Sequence, residues 1–107
     1  MGFGNMQKLM KQAQKMQADM QKLQEDMKDM MVTGTAGGGM VEAVCNCRQE
    51  MQSIKINPEA VDPEDVEMLE DMVLAAVSEA LRLSQEKAAA EMQKITGGMN
   101  LPGGLGF

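Results

Sequence analysis

Histidine, tryptophan and tyrosine are absent from the 107 residues, and the two aromatics, Phe3 and Phe107, stand at opposite ends of the chain. Without His there is no imidazole to act as general acid or base, to activate a Ser or Cys nucleophile, or to ligate a metal. With aromatics at 2%, a core packed around large rings is excluded, so any core is built from Met, Leu, Val, Ile and Ala. Cysteine is scarce as well. Cys45 and Cys47 are separated by one residue, and as strand neighbours on one face they are badly placed to bond to each other. Reduced thiols are expected, and with no further Cys or His to complete a tetrahedral site, neither a metal nor a cofactor is expected. No run approaches the ~20 apolar residues of a membrane span, and the N-terminus lacks the charged-then-apolar pattern of a secretory signal. Met1-Gly2 is followed by Met6 where a myristoylation motif has Ser or Thr. These absences predict a cytoplasmic protein with no membrane partner.

Catalytic constellations are missing too. Gly37, Gly38 and Gly39 lead into a strand pattern with no GK[ST] after them, which makes them turn residues and not a phosphate loop. Adjacent carboxylates such as Glu70 and Asp71 have no base or electrophile beside them in the pattern. The sequence predicts no enzyme and no small-molecule substrate.

What is present is one small domain spanning 1–107, rich in methionine (14 residues) and acidic overall, with a net charge of −6. The charge is unevenly spread. Residues 1–31 carry five Lys against four acids, residues 32–57 balance, and residues 58–107 carry ten acids against three bases. The first segment is where an anion could dock.

Apolar residues recur at Met6, Leu9, Ala13, Met16, Met20, Leu23, Met27 and Met30, a spacing of three and four that marks a helical seam. The stretch 5–31 has no Pro or Gly and opens on Asn5, a capping residue, which predicts one long helix there. β-Branched residues then take over at Val32 and Thr33. Alternation through Val41, Ala43 and Cys45, and through Ile54 and Ile56, predicts a three-stranded antiparallel meander over 32–57, with Glu42, Val44 and Asn46 on the opposite face. Asp62-Pro63-Glu64-Asp65 reads as a capped helix start, giving a second helix over 62–95 whose apolar residues exceed one stripe. Residues 96–107, with Pro102 and several glycines, are expected as a flexible tail. A seam of roughly 40 Å and a second helix with surplus apolar surface exceed what so short a meander can cover, which predicts a homodimer.

At ~100° per residue, Lys8, Lys11, Lys15 and Lys22 fall within roughly 60° of one another and about 130° from the seam. Such a ridge can neutralise successive phosphates and release their counterions. A lysine ridge is also what a solvated helix face looks like, so spacing alone does not decide between the two.

Leu9-Met10-Lys11-Gln12-Ala13-Gln14-Lys15-Met16-Gln17, Val32-Thr33-Gly34, Ile54-Lys55-Ile56-Asn57-Pro58, Met68-Leu69-Glu70-Asp71-Met72-Val73 and Gly98-Met99-Asn100-Leu101-Pro102 occur in this order. Together they resemble the YbaB/EbfC family of bacterial nucleoid-associated DNA-binding proteins. The resemblance implies an α-β-β-β-α protomer of the α+β class. It implies a homodimer joined through the central sheet and second helices, with projecting helices gripping double-stranded DNA like tweezers in the nucleoid. Lys11 and Lys15 match the family's first-helix motif, and Lys8 and Lys22 extend it by projection. Where relatives often have Asn-Gly in the second turn this chain has Asn46-Cys47, and Gln52 and Ser53 replace basic residues early in the last strand, leaving Arg48 and Lys55 as the hairpin's candidate contacts. Helix, hairpin and helix is also the plan of prefoldin-like chaperones, a rival reading in which Met-rich helices hold protein clients.

Overall fold

The computed structural model describes residues 3–97. Most of the expected tail, residues 98–107, therefore lies outside the described residues, as do Met1 and Gly2. The chain forms α1 (Phe3–Met27), β1 (Met31–Ala36), β2 (Val41–Asn46), β3 (Met51–Ile56), a 3₁₀ turn (Pro58–Ala60) and α2 (Val66–Thr96).

Both helices depart from the predicted bounds. α1 begins at Phe3, so Asn5 lies inside it and does not cap it. It ends at Met27 and not at residue 31, because Lys28, Asp29 and Met30 turn through tighter bonds to Glu25, Asp26 and Met27. The freed Met27 carbonyl accepts the Cys47 amide at 3.1 Å, and Met31 pairs with Asn46 as the start of the sheet. α2 starts four residues later than the first capping Asp suggested. Asp62 Oδ1 accepts from Glu64 N at 2.9 Å in a turn around Pro63. The cap is Asp65, whose Oδ1 accepts from Met68 N at 3.2 Å. At the other end α2 runs through Thr96, and Gly97 N donates to Gln93 O at 2.6 Å.

The sheet has the order β1-β2-β3, antiparallel throughout. Gly37, Gly38 and Gly39 turn β1 into β2 with positive φ of 63°, 66° and 92°, a conformation that glycine adopts without strain. β2 is central. Val41, Ala43 and Cys45 are buried against Ala76 and Ala80 of α2, so α2 lies over β1 and β2. Gly34 of β1 permits this closeness: a Cβ there would overlap Ala76 O and Ala80 N of the helix backbone. Ile54 and Ile56, opposite Ala43 and Val41 in the register, share that face yet remain 45% and 39% exposed.

A second cluster forms where Leu23 and Met27 of α1 meet Cys47, with Ala88, Met92 and Ile95 of α2 packed around them. The two thiols therefore enter different clusters, Cys45 the first and Cys47 the second. Both are free, and burial pushes both above the ordinary thiol range.

Between the clusters sits Asn46. Alternation put it on the outer face with Glu42 and Val44, but it is 1% exposed, because the β2–β3 register shifts at Val44 and Cys45 and the strand then enters its turn. Its Nδ2 donates to Lys28 O at 3.1 Å and to Glu50 Oε1 at 2.8 Å. Its Oδ1 accepts from Arg48 N and Glu50 N, each at 3.0 Å. Buried Ser84 of α2 donates to the Asn46 carbonyl at 2.8 Å. One residue thus ties the end of α1, the β2–β3 turn and the middle of α2 together.

Candidate nucleic-acid interface

Met27 adjoins the Asn46–Cys47 turn that Ser84 holds, while Asp19, Lys22, Leu23 and Asp26 line a groove with Glu91, Lys94 and Ile95. The two helices therefore run antiparallel, and the first half of α1 continues past the end of α2. Lys11 stands roughly 18 Å beyond Leu23 along the helix axis at ~1.5 Å per residue.

Burial along α1 follows this geometry. Leu23 and Met27 are 7% and 4% exposed, whereas Met6 and Leu9, on the same seam, are each 61% exposed. Met16 and Met20 lie between these extremes. Among the described residues, the seam predicted to need cover along its whole length is covered only in its second half.

The lysines of the projecting part are all exposed. The ion pairs among the described residues are Arg82 with Glu86 and Lys94 with Glu91, each at 2.8 Å, so Lys8, Lys11 and Lys15 have no carboxylate within ion-pair distance among those residues. Lys22 is placed differently. It lines the α1–α2 groove with three acids, Asp19, Asp26 and Glu91, which lower the local potential.

The two hairpin candidates do not join this ridge. Arg48 is exposed in the β2–β3 turn, at the opposite end of α1 from Lys8. Lys55 lies on β3 directly opposite Glu42, on the sheet face away from α2. The candidates thus fall into three places: a continuous set of Lys8, Lys11 and Lys15, the groove lysine, and two separate hairpin charges. Lys94, in the last turn of α2, is a cation near the projecting helix that the sequence reading did not nominate. Its signal was a basic residue just before the Gly97-Gly98 helix stop.

Seven of the sixteen acids gather elsewhere. Glu59, Asp62, Glu64, Asp65, Glu67, Glu70 and Asp71 precede or open α2, at the end of that helix remote from the projecting part of α1. No group of three or more Cys, Asp or Glu among the described residues could hold a metal ion, and no helix among them is long and apolar enough to cross a membrane.

Known proteins place this architecture. A solved structure of an uncharacterized protein from Helicobacter pylori superposes with a TM-score of 0.71 at 24% identity, covering 91% of this chain and 99% of that one, and so shares the fold. A nucleoid-associated protein of Desulforamulus reducens is 59% identical over 100 residues, which is 94% of this chain and 95% of the relative. Another from Moorella thermoacetica is 59% identical over 103 residues, 96% of this chain and 99% of the relative. Residues 1–99 match the YbaB/EbfC DNA-binding family, and with these relatives named as nucleoid-associated proteins and not as enzymes, the chain belongs to that family.

Proposed function

We propose that this protein binds double-stranded DNA as a homodimer in the nucleoid of the cytoplasm, through phosphate contacts from the projecting half of α1. The observation that supports it most is the segregation of charge: Lys8, Lys11 and Lys15 stand exposed and unpaired among the described residues on a helix that leaves the body of the protomer, in a stretch with no acid before Asp19, while the densest run of acids lies around the start of α2. An acidic protein can approach DNA only with such a separation. Lys22, among its acids, contributes less than the other three, and Arg48 and Lys55 are peripheral.

The second copy covers the apolar surface the protomer leaves open on β3 and α2. Ile54 and Ile56 flank the sheet core, and Leu69, Val73, Leu74 and Val77 line an open apolar groove on α2. Two protomers then present two basic helices to one duplex. Lys, Gln and Met along α1 offer few side chains that read base edges in pairs, so sequence preference is weak. Nucleoid organisation, with effects on gene expression or DNA repair, is the use this binding mode fits.

Isotherms with duplex DNA at several salt concentrations test the reading. Three or four lysines per protomer neutralise roughly six to eight phosphates per dimer, which gives a log-log salt slope of about −5 to −7, with discrimination among sequences under about tenfold. A slope near zero removes the electrostatic mechanism. Sedimentation reporting 11.6 kDa in place of twice that mass removes the dimer.

A further inference from the structure

The open half of the α1 seam keeps the register of its covered half. Met6, Ala13, Met20 and Met27 stand seven residues apart, and Leu9, Met16, Leu23 and Met30 repeat seven apart beside them, which are the two inward positions of a heptad. Leu23 and Met27 are buried under α2. Met6, Leu9 and Ala13 are exposed, and Met10, one turn on from Met6, widens the same patch. A heptad seam is the pattern of a face that packs against another helix, and among the described residues α2 meets only its second half.

The positions that flank a seam select its partner. Beside the covered half they include Asp19 and Asp26, which line the groove that Lys94 of α2 also lines, so acids face a helix that brings a base. On the same side of the open half the flanking residues are Asn5 and Gln12, and on the other side Met10 and Gln17. None of the four is charged. A charged partner helix finds no counter-charge there, whereas an identical helix meets no repulsion, because Lys8, Lys11 and Lys15 lie on the far side. Ala13, small and central to the open stretch, lets two such helices approach closely.

We propose that the projecting half of α1 is a second self-association surface, on which the arm of one molecule packs against the arm of another through Met6, Leu9 and Ala13. This surface is separate from Ile54, Ile56 and the apolar groove of α2, so molecules joined through those residues keep their arms free to link further molecules. With the seams facing each other, the two lysine ridges point outward in opposite directions. Linked molecules then hold two separate duplexes, a consequence that rests on the DNA-binding reading, while the pairing itself does not.

Sedimentation equilibrium of the full chain without DNA tests the pairing. The open seam is about two heptads long, which makes the contact weak, so the protein is taken up to about 1 mM. The average mass is expected to rise to at least about twice that of the variant Met6→Gln, Leu9→Gln. The new side chains favour helix and stand where the originals are 61% exposed, and matching helicity and unfolding midpoint report an intact fold. Because the reference is the variant's own mass, the pairing is read whether that mass is one chain or two. Equal masses at every concentration leave the seam to a partner of another kind and overturn the proposal. A cysteine placed on the seam locates the contact, since Cys45 and Cys47 are buried. Ala13→Cys is expected to cross-link two chains on oxidation at least about fivefold faster than Gln14→Cys, which is turned ~100° from it. Equal rates overturn the proposal, and so does a cross-linked Ala13→Cys protein no heavier than the Met6→Gln, Leu9→Gln variant, which would place both arms in one dimer. With DNA, beads carrying one duplex are expected to retain a second, labelled duplex at least about fivefold better with the parent than with the double variant, at equal affinity for a single duplex. Equal retention overturns the two-duplex consequence, and a parent that binds no duplex overturns the DNA-binding reading while the sedimentation result stands.

Discussion

The body of the protomer and its projecting helix are built from opposite kinds of residue. Where α2 comes nearest the sheet, Gly34, Ala43, Ala76 and Ala80 bring two backbones together and have little rotamer freedom to lose, with Val41, Cys45 and the aliphatic residues of α2 packed around them. Along the first half of α1 the residues are Lys, Gln and Met, long and mobile, with Met6, Leu9 and Met10 at least 60% exposed. The body is specified by shape and is intolerant of added atoms; the arm is specified by charge and tolerates most changes that preserve a helix. One chain separates folding from binding by giving each its own vocabulary of side chains.

Substitutions in the two regions should therefore have different consequences. Gly34→Val has the largest expected effect, because the new Cβ overlaps the α2 backbone, which cannot yield as a side chain can; a loss of at least about 3 kcal/mol, or no cooperative unfolding at all, is expected in chemical denaturation. Asn46→Ala comes next. It strands the Lys28 carbonyl and the Arg48 and Glu50 amides, at a cost of roughly 2–3 kcal/mol, and Ser84→Ala should share part of that loss. Lys11→Glu with Lys15→Glu is the converse case. Helicity and unfolding midpoint should stay unchanged, while affinity for duplex DNA in matched salt falls by at least about tenfold, since each chain loses two cations from the ridge, four in the proposed dimer. A double variant that binds like the parent makes the ridge a solvated face and nothing more.

The smallest effect concerns the thiols. Burial raises both Cys45 and Cys47 above the ordinary thiol value of 9.0, so the unfolded chain releases these protons at a lower pH than the folded chain. The stability they contribute is complete below pH ~8 and is lost as pH rises past ~9. The unfolding midpoint should drop less between pH 8 and 10 in a Cys45→Ala, Cys47→Ala variant than in the parent.

Much of the fold was legible because it rests on periodicity: the seam of α1, the alternation of β2 and the multiple apolar stripes of α2 each carry their element. Boundaries were less legible where neighbours compete for the same role. Asp62 and Asp65 are both good caps, and only the turn around Pro63 selects the second. Asn46 could not be read from alternation, since its burial follows from a bulge and from partners 18 and 38 positions away. The lysine ridge was visible on a helical projection, but the distinct setting of Lys22 was not, because Glu91 reaches it only through the packing of two remote helices.

The Asn46 connection also has a mechanical meaning. It fixes the base of a rigid rod that stretches roughly 28 Å from Met27 to Lys8, so the hinge angle there sets how far apart two such rods stand at their tips. A tilt of about 10° at the base moves Lys8 by roughly 5 Å, comparable to one turn of α-helix. In the proposed dimer the spacing of the two tips is thus governed from a buried amide at the far end of the arm, and a change at Asn46 too mild to unfold the protein would alter the diameter of the duplex such a pair could span.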